Sequence, residues 1–205
     1  MLLKIEHHTH YSYSDFVNYT IQQLRLTPNS ENGQYVRRWD IKVKGELHPF
    51  IDAYRNISHR LIINEPHKDI DIVAIGEVET GLDKINHQDY LPLSIFLRNT
   101  KLTEANQKLI KFAQKFKATG DEQIDALEKM MHAILNHVEY IKGVTQVTTT
   151  ASEAFQLRKG VCQDHAHIFI ACCHALNLPA RYVSGYMFTE DGHLMQSHAW
   201  AEVWL

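Results

Sequence analysis

Residues 160–176 read GVCQDHAHIFIACCHAL, and the fold turns on where this helix begins. Ala166, Phe169, Ile170 and Cys173 follow Cys162 at i+4, i+7, i+8 and i+11, the spacing of one buried helical stripe. Val161 and Cys162 therefore open the helix, and Asn177 and Pro179 close it. A cysteine in the first turn sits among backbone N–H groups without helical partners, at the positive end of the helix dipole. That setting favours the thiolate, the nucleophilic form of the side chain. Gly160, immediately before, permits a tight turn and leaves room for a substrate to approach. Burial as a small hydrophobe is the commoner role for a cysteine in an apolar run, and that is the expectation for Cys172 and Cys173.

Downstream, ARYVSGYM (180–187) and SHAWAEVWL (197–205) read as two strands joined across the turn TEDG (189–192), which makes a hairpin. Alternation puts His198, Trp200, Glu202 and Trp204 on one face and Ala199, Ala201, Val203 and Leu205 on the other. The small apolar face is expected to pack on the Cys162 helix. An imidazole at the strand's start could then reach the thiol and serve as base and later as acid. The alternative is an edge histidine exposed beside a loop.

Upstream, Thr150 and Glu153 form a T-x-x-E capping box opening a short helix, expected to end near Lys159 with Gly160 as its left-handed exit. A longer helix starts near Asp121, with Ile124, Leu127, Met131, Ile134, Leu135 and Val138 at core spacing. In LTEANQKLIKFAQKF (102–116), Thr103 is the expected N-cap, and Ala105, Leu109, Phe112, Ala113 and Phe116 form a stripe. Before that the pattern is different. From Leu2 to about Thr80 short β-branched runs alternate between polar loops, as in a β-sandwich or open barrel. The fold class is thus α+β, with a β-rich domain over 1–90 and, over 91–205, helices packed on an antiparallel sheet.

Composition narrows the function. The chain has 205 residues, 44% hydrophobic, and a formal charge of −3. No Lys/Arg cluster approaches what a phosphate-tracking surface needs, so a nucleic-acid partner is not expected. The first residues lack the apolar core of a secretory signal and no apolar run is long enough to span a bilayer; a cytoplasmic protein without membrane contact is the expectation. Three cysteines, an odd number, imply at least one free thiol. The 14 histidines are scattered, and the best local metal pair, His165 and His167, points to different helix faces, so neither a metal nor another cofactor is expected.

Taken together, GVCQDHAHIFIACCHALNLPARYVSGY and QSHAWAEVWL resemble the core of the bacterial transglutaminase-like cysteine protease family, in which a glycine-preceded cysteine opens a helix and an S-H-A-W strand supplies the histidine. YIKGVTQVTTTASEAFQLRKG (140–160) resembles the family's approach to that helix. HHTHYSYSDFV, LRLTPNSENGQYVRRWDIKV and DAYRN resemble the β-domain that precedes the core in bacterial members. Two departures stand out: DAYRN replaces a common D-x-x-G-N, and His165 replaces an aromatic after Gln-Asp.

The resemblance implies a papain-like core with a Cys-His-Asp triad whose aspartate lies on the strand after the histidine's. Cys162 is then the nucleophile and His198 the base, with no third triad member within 1–205. Glu202 lies four residues along a strand from His198, roughly 13 Å away at about 3.3 Å per residue. Asp164 points away from Cys162's face, and Asp191 belongs to the hairpin turn. The chain ends on the apolar strand AEVWL, leaving an unpaired sheet edge, so it is expected to be part of a longer protein and impaired alone. The implied chemistry is attack of the Cys162 thiolate on an amide carbonyl of a protein or peptide, with the Cys162 backbone N–H donating to the oxyanion. Gln146 is considered as second donor. Peptidase or amidase activity ranks above cross-linking or other amine transfer. Acyl transfer to arylamines and a non-catalytic partner-binding module are further alternatives.

Overall fold

A computed structural model describes residues 1–31, 33–83, 91–188 and 196–205. By contacts the chain divides into two compact units, 1–90 and 91–205.

The first unit contains β1 (Leu2–Val17), β2 (Thr20–Leu24), β3 (Gln34–Val43), β4 (Glu46–Ile51), β5 (Ile57–Ile63) and β6 (His67–Thr80). They form two antiparallel three-stranded sheets, in the orders β1-β6-β3 and β2-β5-β4. Alternation decides what each sheet buries: Ile70, Ile72, Ala74 and Val78 of β6 turn inward at a period of two. Ile70 and Ile72 share one cluster with Leu24, Leu61 and Ile63 of the other sheet, so the two pack face to face as a sandwich. Pro49, with no N–H to give, lies in β4 at a sheet edge, where its loss to the ladder is smallest. The DAYRN corner accounts for its own departure from the family pattern. Asp52 Oδ1 accepts from the N–H groups of Tyr54 and Asn56, both at 2.9 Å. Arg55 takes φ 64°, the left-handed conformation for which glycine is suited, at the position where the family pattern has glycine.

The second unit comprises α1 (Gln107–Ala113), α2 (Gln123–His137), β7 (Glu139–Tyr140), α3 (Ala151–Leu157), β8 (Lys159–Gly160), α4 (Cys162–Ala175), β9 (Ala180–Met187) and β10 (Gln196–Val203). α4 is central and packs against α1, α2, α3 and both strands of the antiparallel β9–β10 hairpin. It is buried nearly all round: Ala166, His167, Ile168, Ile170, Ala171, Cys172 and Cys173 are all inside. The small-residue face of β10 meets this core, with Ala201 and Val203 packed against it and Ala199 buried. The α+β class and the helix-on-sheet core are as expected.

Several local expectations need correction. α1 is capped by Asn106, whose side chain accepts from Leu109 N–H at 3.0 Å, and not by Thr103. Thr103 Oγ1 instead accepts backward from Thr100 N–H at 3.1 Å, closing a turn before the helix. On α2 the buried seam is Leu127, Met130, Ile134 and the following Val138, while Ile124, Met131 and Leu135 are exposed. The capping box of Thr150 and Glu153 is present, but α3 ends at Leu157 and the left-handed residue is Arg158, at φ 60°. Gly160 is needed for space: a Cβ there would lie 2.7 Å from the Asp164 carboxylate. The expected turn 189–192, with Asp191, lies outside the described residues.

Candidate functional site

The site grows from the start of α4. Cys162 is its first residue and is partly exposed, whereas Cys172 and Cys173 on the same helix are fully buried. Burial pushes both inner thiols up, Cys173 to about 12 and Cys172 further. The first turn is braced by Asp164, only 1% exposed, whose Oδ2 accepts from Val161 N–H and from Thr145 Oγ1, each at 2.7 Å. This is one half of a capping box, because Val161 has no side-chain acceptor to return the bond. An acid here also meets the positive end of the helix dipole. Asp164 thus serves the helix start and not an imidazole.

The Tyr140 and Tyr182 phenols both interact with the cysteine, and neither was among the expected site residues. β7 pairs in parallel with β8, setting Tyr140 opposite Gly160, with Ile141 N–H bonded to Gly160 O at 2.9 Å. The Tyr140 phenol interacts with the Cys162 thiol and with its backbone N–H. Partial burial first, then the thiol's charge and hydrogen bond, raise its pKa, and the backbone N–H opposes them. Tyr182 of β9 is also raised, first by burial and then by Cys162 and Asp164.

Behind them stand the two histidines considered for a metal. His165 has Nδ1 3.0 Å from Val161 O and Nε2 3.0 Å from Val138 O, so backbone carbonyls engage both ring nitrogens. His167 is buried with its ring 5.2 Å from that of Tyr182, and its Nδ1 has no hydrogen-bond partner among the described residues. Burial lowers the His167 pKa, partly offset by Asp164. Gln146 is exposed, its backbone N–H bonded to Thr149 Oγ1.

His198 stands on β10 opposite Gly185, on the face it shares with Trp200 and Glu202. Its ring meets Trp200 edge-on at 4.8 Å. Among the described residues no hydrogen bond joins His198 to Cys162. Glu202 is committed to Arg181 at 2.6 Å, and the Arg181 guanidinium lies over Phe96 and Trp204.

Comparison with known proteins finds matches for both units of this fold. Residues 3–79 match the bacterial transglutaminase-like N-terminal region, and residues 110–205 match the transglutaminase-like superfamily. The core over residues 110–205 belongs to the transglutaminase-like superfamily. A solved relative, a candidate cysteine protease from Cytophaga hutchinsonii, superposes with a TM-score of 0.80 at 25% identity, covering 99% of this chain and 72% of that one. An uncharacterised protein of Mycobacterium leprae is 24% identical over 221 residues, spanning 98% of this chain and 79% of its own length. One from Mycobacterium tuberculosis is 27% identical over 228 residues, spanning 98% and 73%. Among the described residues no helix of this transglutaminase-like chain is long and apolar enough to cross a membrane, which leaves β-barrel spanning unaddressed.

Proposed function

We propose that this transglutaminase-like protein is a cysteine peptidase or amidase in which Cys162 attacks an amide carbonyl of a protein or peptide. One observation carries the reading: of three cysteines on one helix, only Cys162 occupies the first turn and reaches solvent. The thiolate Sγ forms a bond to the carbonyl carbon, the leaving amine takes a proton from His198, and a thioester remains. Water then resolves the thioester to a carboxylate, and the carbonyl oxygen is stabilised on the way by Cys162 N–H. His198 must come within hydrogen-bond distance of the thiol during this cycle; such bonds are commonly long in a free enzyme and tighten on substrate binding. The free thiols suit a reducing cytoplasm.

A non-catalytic binding module is the second reading, favoured by the His198 ring resting against Trp200 and making no bond to Cys162. Amine release from a peptide-amide library separates the two. Catalysis predicts turnover that Cys162→Ala abolishes and His198→Ala cuts by about a thousandfold or more. Turnover retained by Cys162→Ala would sink the proposal. Adding a primary amine reports whether the thioester also goes to amine transfer.

A further inference from the structure

We propose that the Tyr140 hydroxyl is the second oxyanion donor, acting beside the backbone N–H of Cys162; this rests on the cysteine-nucleophile reading above. The argument begins with placement. The parallel pairing of Tyr140 with Gly160 fixes the tyrosine two residues from the nucleophile in space although 22 separate them in sequence. His165 then holds the ring: it stacks on Tyr140 with centroids 6.2 Å apart and planes 28° from parallel. Its own nitrogens meet the carbonyls of Val161 and Val138. A phenol so held meets both the thiol and the N–H of Cys162.

Those two groups bracket where an oxyanion forms. As Sγ bonds to the carbonyl carbon, the C=O π pair moves onto oxygen, and that oxygen must lie next to Cys162 N–H. The Tyr140 O–H turns from the thiol to this oxygen and donates, with no proton transferred. Of the other polar groups nearby, Thr145 Oγ1 is bound to Asp164, and Tyr182 makes no hydrogen bond to Cys162 among the described residues. With the backbone paired to Gly160 and the ring stacked on His165, only the O–H has to turn, so little reorganisation accompanies the reaction.

The test compares two reactions of Cys162 in the chain and in its Tyr140→Phe variant. With p-nitrophenyl acetate, Sγ bonds to the acetyl carbon, an oxyanion forms, and p-nitrophenolate leaves. With iodoacetamide, displacement at a saturated carbon forms no oxyanion. We expect Tyr140→Phe to slow acetylation of Cys162, read by peptide mass, about 10–100-fold while alkylation changes less than about twofold. Equal or faster acetylation in the variant would overturn the Tyr140 assignment alone. A parallel fall in both rates would also overturn it, because Tyr140 would then act on the thiol or the fold. If Cys162 of the unaltered chain reacts with neither reagent, the nucleophile reading falls and takes this inference with it.

Discussion

The two ends of α4 carry the same functional group in opposite conditions. Cys162 at the N-terminus has the positive end of the helix dipole and access to solvent; Cys172 and Cys173, near the other end, have neither and sit in the core. The difference teaches that thiol chemistry here is set by position along one helix. The inner pair packs as small hydrophobes whose thiols burial holds in the neutral form. The outer one has the Tyr140 phenol beside it and, under its helix turn, Asp164 held by Thr145.

The largest stability effect should come from disturbing the brace under the outer end. Gly160→Ala would drive a Cβ to 2.7 Å from the Asp164 carboxylate, and about 3 kcal/mol of stability should be lost in denaturant titration. No change in the midpoint would mean that the helix start is looser than described. Next come the cysteines themselves. Cys172→Ser buries a hydroxyl in the core and should cost about 2 kcal/mol, whereas Cys162→Ser should stay within about 0.5 kcal/mol yet abolish labelling. Similar costs at both positions would erase the contrast.

Alkaline titration probes the inner end with a defined sign. The folded-state pKa values of Cys172 and Cys173 are raised, so the unfolded chain releases these protons first. Their contribution is complete below the ordinary thiol range and is lost as pH climbs from about 9, by up to about 1.4 kcal/mol per pH unit per thiol. Melting temperature followed from pH 8 to 11 should fall, and a Cys172→Ala, Cys173→Ala background should fall less steeply. The smallest effect is a remote control: Arg55→Gly, relieving a left-handed residue in the first unit, should add about 0.5 kcal/mol without changing Cys162 labelling.

How much was legible in the sequence follows the range of the interactions involved. α4, the β9–β10 hairpin and the capping box of Thr150 and Glu153 were readable because local spacing and punctuation specify them. Thr103 and Asn106 offer equivalent capping signals before one apolar stripe. The structure chooses Asn106 because Ser152 holds the intervening segment, bonding Asn106 N–H and Glu104 O at 3.0 and 2.9 Å. Met130 and Met131 are likewise adjacent, and packing on α4 selects the rotation that buries the first. Tyr140 opens the stretch that resembles the family's approach to the helix, but its nearness to Cys162 could not be read there, since it depends on a parallel pairing across 20 residues. The positions of Cys162 and His198 were readable through motif and spacing; their mutual geometry depends on side-chain reach, which alternation alone does not specify.

Competition labelling of the folded chain with limiting iodoacetamide at pH 7, read by peptide mass over time, tests the central claim most directly. The account predicts that Cys162 is modified at least about a hundredfold faster than Cys172 or Cys173. Equal, slow modification of all three thiols would contradict it.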